Sequence, residues 1–375
     1  MKFNVSSKAL YNSTSAVSKV INSKNALTIL DNFYIKLEGN TLTITGSDQE
    51  NALTARLEVS GVKGEGSFCL GARRLVELLK ELPDQGVEVS VDDDTLEVQL
   101  SYASGHYSFV ALPGDQYPQF RAETAGEPIR FSIATEQVIA GLDNTMFAVS
   151  NDEYRQIMQG VLLDIAPDSI TFVATDTRKL VRYIDRRTAP GVTGSCVLPS
   201  KPSNVLKNVF AKEETLNFTM NARNAIIESD HYTFQCTFLN GNYPDYNRVI
   251  PRNNSLVLTV DRSALLNAVR RVGIFVEVDG GLEKFRITPD SILIKSNDPN
   301  LCTSAREQVP CSFTGNELTI GFSANYLMEI LTTLKGSDVV VNLGDAGRPG
   351  VFRPGEEPEN TELVMLLMPM TIGDF

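Results

Sequence analysis

KFNVSSKAL (2–10), RFSIATEQVI (130–139) and VLTVDRSALL (257–266) decide the fold, because they are one pattern written three times. Each is a short alternating apolar run, then polar capping residues, then apolar residues at helical spacing. That is how a strand enters an amphipathic helix. Phe3, Phe131 and Leu258 hold the same place, at offsets of 128 and 127 residues. A repeat of this length governs how everything after it is read.

Further landmarks recur in the same order. A hairpin follows each start: IKLEGNTLTI (35–44), LDIAPDSITF (163–172) and FRITPDSILI (285–294). The first turns on Gly39-Asn40, residues that accept positive φ, and the others turn on Pro-Asp-Ser. Leu42, Ile170 and Ile292 correspond, and each hairpin runs into a small-polar-Asp step ending at Asp48, Asp176 or Asp298. A second helix comes next: LGARRLVELLKEL (70–82), LPSKPSNVLKNVF (198–210) and IGFSANYLMEILTTL (320–334), aligned on Leu70, Leu198 and Ile320. The copies close on LPG (112–114), LNG (239–241) and MPM (368–370), aligned through Leu112, Leu239 and Leu367. The third copy gains residues late, where GRPGVFRPGEEPEN (347–360) reads as an inserted surface loop. The expectation is three α+β domains, 1–125, 126–252 and 253–375, each with two helices packed on antiparallel sheets. Linkers are expected near 121–129 and 250–256.

Composition narrows the class. Of 375 residues, 42% are hydrophobic and 21% charged, ordinary values for a globular protein, and the length exceeds what one core serves. No apolar run approaches the roughly 20 residues of a membrane span, and MKFNVSSKAL has no signal-peptide core, so a cytoplasmic protein is expected. Five scattered cysteines without a C-x-x-C pair argue against a disulfide framework and a zinc site.

A net charge of −12 argues against nucleic acid only as an average. The six expected helices (8–20, 72–82, 136–149, 200–212, 261–273 and 323–335) hold 12 Lys+Arg against 6 Asp+Glu, a net of +6 that leaves −18 elsewhere. Basic helices can simply be solvated faces. Set side by side by a repeat, they can also form one wall that attracts phosphates without reading sequence.

Catalytic signatures are missing. No G-x-S-x-G, P-loop, G-x-G-x-x-G or H-E-x-x-H occurs. His106 and His231 both lie in alternating runs that read as strands, and Asp92-Asp93-Asp94 reads as a hairpin turn between VEVS and LEVQL. No metal or cofactor is expected. A second reading stays open: a repeat-built hydrolase using Asp48, Asp176 or Asp298.

ATDTRKL (174–180), NYPDYNRVIP (242–251), IGFSANYL (320–327) and MPM (368–370), set in a tripled unit, resemble the bacterial sliding clamp family, the beta subunit of the replicative DNA polymerase III. The resemblance spans the entire chain. It implies a homodimer closed head to tail into a ring of six similar domains, with helices lining a hole for duplex DNA. It also implies a non-enzymatic processivity factor that tethers the replicative polymerase, clamp loader and repair proteins through short hydrophobic peptides. By motif, the peptide cleft would be lined by Met158, Thr175, Thr177, Arg178, Leu180, Pro244, Arg248, Val249, Ser323, Tyr326, Leu366, Met368, Pro369 and Met370. Any one of these could equally be core. Lys24, Arg73, Arg74 and Lys201 match the family's DNA-contact positions, and charge alone adds Lys207, Arg270 and Arg271. The dimer contact would join Tyr107 to Ile274 and Phe275. Departures are Thr177-Arg178, where many members have Gly-His, a longer C-terminus, and a helix at 136–149 without basic residues, near Arg155.

Overall fold

Alternating strands and capped helices recur three times in a computed structural model that describes residues 1–119, 127–276 and 281–373. The expected boundary at 125/126, with most of the 121–129 linker, lies outside the described residues.

The first copy runs β1 (Lys2–Ser6), α1 (Ser7–Val17), β2 (Asn32–Glu38), β3 (Thr41–Ser47), β4 (Asn51–Glu58) and β5 (Ser60–Lys63). It continues through β6 (Gly66–Gly71), α2 (Ala72–Glu81), β7 (Gly86–Val91), β8 (Glu97–Tyr102), β9 (Gly105–Val110) and β10 (Leu112–Pro113). The second runs β11 (Ile129–Ala134), α3 (Thr135–Thr145), β12 (Gly160–Ala166), β13 (Ser169–Thr175) and β14 (Lys179–Asp185). Then come β15 (Gly194–Pro199), α4 (Ser200–Val209), β16 (Thr215–Met220), β17 (Asn224–Glu228) and β18 (Tyr232–Thr237). The third begins β19 (Leu256–Asp261), α5 (Arg262–Val272), β20 (Leu282–Ile287), β21 (Ser291–Asp298), β22 (Thr303–Pro310) and β23 (Ser312–Phe313). It ends β24 (Leu318–Ser323), α6 (Ala324–Thr333), β25 (Asp338–Leu343), β26 (Gly350–Pro354) and β27 (Thr361–Leu367).

Each copy builds two four-stranded ladders, and their order is the same three times: β1-β7-β8-β9 with β6-β2-β3-β4, β11-β16-β17-β18 with β15-β12-β13-β14, and β19-β25-β26-β27 with β24-β20-β21-β22. α1 and α5 begin where a side chain takes an orphan N–H: Ser6 accepts from Ala9 at 3.3 Å and Asp261 from Ala264 at 2.6 Å. Their stripes bury as the spacing predicts, for example Leu10, Thr14 and Val17 on α1 and Leu327, Ile330 and Leu331 on α6.

Neighbouring copies share sheet. β4 pairs with β18 and β14 with β27, so the ladders fuse into two nine-stranded sheets. The shared sheets distribute the three copies between two compact units. Met1–Ile139 with Lys201–Phe238 holds one nine-stranded sheet and the five-stranded sheet β5-β1-β7-β8-β9. Ala140–Ser200 with Leu239–Phe375 holds the other nine-stranded sheet and the four-stranded sheet β22-β21-β20-β24.

Three expectations change. The stretch 347–360 is not one loop: Gly350–Pro354 is β26, with Val351 and Phe352 buried, and the extra residues sit in the β26–β27 turn. Gly and Pro at its ends disguised a short core strand. Two third-copy landmarks also shift. Strand pairing sets Phe33 opposite Leu70, Val161 opposite Leu198 and Glu283 opposite Phe322, so Phe322, not Ile320, is the counterpart. The cause is a β21–β22 turn two residues longer than its equivalents. Likewise Leu112 pairs with Cys69, Leu239 bonds Val197 and Met370 bonds Gly321, so Met370 replaces Leu367 as the closing landmark.

Candidate peptide cleft and basic surface

The β13–β14 turn is held by its own side chains. Asp176 Oδ1 accepts from the N–H groups of Arg178 and Lys179, both at 2.8 Å. Thr175 Oγ1 donates to the Lys179 carbonyl at 2.8 Å and accepts from Thr177 N at 3.1 Å. Thr177 is thereby kept at φ +78, a left-handed conformation natural to glycine and strained for a β-branched residue.

Behind the turn, Leu180 packs with Leu162, Val173, Val197 and Leu366, and with the half-buried Ile157, Leu239, Tyr243, Tyr246 and Ile250. The 242–251 segment is fastened by Tyr246, whose hydroxyl donates to Asp164 Oδ2 at 2.8 Å, and burial first and this bond second push its phenol up to about 12. Met368 N donates to the Arg178 carbonyl at 2.8 Å, tying the end of β27 to the turn.

A cavity of about 160 Å3 lies among these pieces, lined by Met158, Thr175, Thr177, Lys179, Leu180, Pro244, Tyr246, Val249, Leu366 and Met368. Val249 and Met368 are exposed at its mouth. An adaptable apolar floor with a few polar edges suits a bulky apolar side chain. Of the expected residues, Arg178, Arg248, Ser323, Tyr326, Pro369 and Met370 do not line the cavity. Arg248 is exposed and paired with Asp245 at 2.8 Å. Met370 is tied to Gly321, where an added Cβ would lie 2.4 Å from Ile372, so the glycine of IGFSANYL makes room for the C-terminal segment.

Lys179 and Tyr246 were missed. Both stand inside the quoted motifs, but neither fits the idea of an apolar pocket. The Lys179 side chain is only 4% exposed and bonds Glu329, with Asp176 at 3.5 Å and the Tyr326 and Phe147 rings 4.5 and 5.6 Å from its Nζ. Tyr326 thus touches a residue of the cavity wall, Lys179, without lining the cavity itself.

Among the expected DNA contacts, Lys24, Arg74 and Arg270 are exposed and carry no ion pair among the described residues. Arg73 pairs with Glu77 at 2.9 Å, and Arg271 is held by Glu307. Lys201 is taken up by Asp48, the Val20 carbonyl and Asn22 Oδ1, and Lys207 also has internal interactions. Ile274 and Phe275 are exposed on a 3-10 turn, and Tyr107 sits on the edge strand β9.

No catalytic grouping forms among the described residues. Asp48, Asp176 and Asp298 do one structural job three times, each accepting from two backbone N–H groups of the following turn. The Oδ1 of each is spent on the backbone. His106 bonds Ser101 Oγ at 2.8 Å in β9, whereas His231 lies in the turn before β18, not in the strand, against Glu213 at 3.0 Å. Asp92 caps the β7–β8 turn, and its carboxyl is held low by hydrogen bonds from Thr95 and Asp94. No cluster of three metal-ligating side chains occurs among the described residues. No helix there is long and apolar enough to cross a membrane.

Three family profiles match end to end: the DNA polymerase III beta subunit N-terminal domain at residues 1–121, its central domain at 132–245 and its C-terminal domain at 247–371. The chain belongs to the DNA polymerase III beta subunit family. It is similar to the beta sliding clamp of Vibrio cholerae, 26% identical over 99% of this chain and 100% of that one. It is also similar to that of Synechococcus elongatus, 28% identical over 97% and 98%. Its fold matches a DNA polymerase sliding clamp from Pseudomonas aeruginosa with TM-score 0.92, 24% identity and coverage of 99% and 100%. A sliding clamp from Bartonella birtlesii bound to griselimycin matches at TM-score 0.91 and 25% identity, over 99% and 100%. In this family the chain is a sliding clamp, a processivity factor that does no chemistry, and the hydrolase reading is withdrawn.

Proposed function

We propose that two copies close head to tail around duplex DNA, and that the cavity beside Leu180 takes a short hydrophobic peptide from the replicative polymerase, the clamp loader or a repair protein. The observation carrying this is that eight residues chosen by motif line one cavity with an exposed Met368 at its mouth. Tethering raises local concentration without bond chemistry. DNA contact is assigned first to Lys24, Arg74 and Arg270. Arg73, Arg271, Lys201 and Lys207 must exchange an internal partner for a phosphate. The domain junctions are placed at 125/126 and 252/253, and the protein in the cytoplasm.

A Q-x-x-L-F-type peptide tests the cleft. Met368→Ala is expected to weaken it about tenfold, the effect of about 1.4 kcal/mol of lost apolar contact. Unchanged affinity would place the peptide elsewhere. The ring predicts retention on circular DNA and loss from linear DNA, and equal retention on both would sink it.

A further inference from the structure

Lys201 stands second in α4, a helix of the second copy, yet its amine is given to the first copy. Its Nζ donates to Asp48 Oδ2, to the Val20 carbonyl and, at 2.6 Å, to Asn22 Oδ1. Three acceptors meet the three N–H donors of one ammonium. All four residues belong to the same compact unit. The corresponding residue of the first copy, Arg73, is exposed and pairs only along its own helix, with Glu77. The inward grip is therefore a feature of this copy, not of the repeat.

Each acceptor has a reason to keep the lysine. Val20 lies at the end of the turns that prolong α1, where Lys19 N donates to the Ala16 carbonyl at 3.1 Å and Val20 N to the Val17 carbonyl at 3.2 Å. A cation at the last carbonyls of a helix complements its dipole. The Asp48 side chain is 5% exposed, and its Oδ1 already accepts from the N–H groups of Glu50 and Asn51, so Lys201 supplies the counter-charge at Oδ2. Asn22 opens a largely exposed loop, 22–27, that carries Lys24. On the far side of Lys24, Asn25 Nδ2 donates to Asp31 Oδ1 at 2.7 Å and to the Asn22 carbonyl at 3.2 Å. Lys24 thus sits between two tied asparagines.

We propose that Lys201 is a positioning residue for DNA contact: it fastens the α1–β2 loop in the conformation that presents Lys24, and it binds no phosphate itself. The role rests on the reading that Lys24 meets DNA, and it changes the part given to Lys201. Leaving for a phosphate would strip a nearly buried carboxylate of its cation and a helix end of its cap together. One solvent-exposed ion pair does not offset that loss. A loop already tied also gives up less freedom on meeting DNA than a loose one.

Salt dependence separates holding from touching. Binding of the full chain to a fluorescein-labelled duplex is followed by anisotropy at several salt concentrations. Lys24→Ala is expected to lower the slope of log K against log salt by about one. Asn22→Ala removes no charge and lies at the surface, yet it is expected to weaken binding about threefold, the cost of ordering a released side chain. In a Lys24→Ala background the same change is expected to do nothing more. Lys201→Met combined with Lys24→Ala is expected to lower the slope by about one in all, because residues acting through one contact are not additive. A double variant whose slope falls by about two makes Lys201 a phosphate contact and overturns the proposal. Undiminished binding by Asn22→Ala, or an equal loss with and without Lys24, also overturns it. Lys24→Ala that binds as the unaltered chain does overturns the DNA-contact reading, and the proposal with it.

Discussion

One core position can be compared across the three copies: Phe33 in β2, Val161 in β12 and Glu283 in β20. All three are fully buried. The first two fill the space with carbon, whereas neither carboxylate oxygen of Glu283 has a hydrogen-bond partner. Burial alone pushes its carboxyl up to about 8. The ladder therefore tolerates a misfit at one site because the surrounding strand pairs specify register independently of it. An unpaired buried carboxyl is costly in any fold.

The largest effect should come from making the third copy resemble the others. Glu283→Leu is expected to stabilise the protein by about 3 kcal/mol at pH 8, read by urea unfolding. The folded-state pKa is raised from the ordinary 4.5. The wild type's stability is therefore intact below about pH 4.5 and is lost as pH rises toward about 8. The variant's advantage must grow from pH 5 to pH 8; an advantage that shrinks over that interval would mean Glu283 has a partner.

The turn aspartates sharpen the comparison next. Asp176→Ala and Asp48→Ala each remove an acceptor of two backbone N–H groups, and each is expected to cost about 2 kcal/mol. Only Asp176→Ala should also weaken peptide binding, measured by fluorescence anisotropy, because the Asp48 turn is plugged by Lys201 while the Asp176 turn borders the cavity. Equal binding losses would erase the distinction. The smallest effect concerns backbone strain: Thr177→Gly is expected to gain about 1 kcal/mol in thermal unfolding, and Gln49→Gly, at φ +81, less, since glutamine lacks the β-branch.

Period and order made the repeat legible, and hairpins on Gly39-Asn40 and Pro-Asp-Ser fell where the residues demanded. What escaped was register in the third copy. Pro299 cannot adopt the positive φ that Gln49 and Thr177 take, and the turn there is two residues longer, which counting along the sequence could not detect. β26 escaped because a five-residue strand bounded by Gly350 and Pro354 looks like a loop. At the cleft, the motif supplied the apolar residues. Lys179 was hidden because its charge is cancelled by Glu329, 150 positions away in sequence.

The sharing of sheet between copies separates the duplicated segment from the segment able to stand alone. A fragment cut at 127 and 252 would carry β14 without β27 and β18 without β4, two raw edges bare to water. Such a piece is expected to stick to others like itself, although its sequence is a complete copy. The repeat supplies the parts, and the strand pairs β4 with β18 and β14 with β27 make each joint a stretch of continuous sheet.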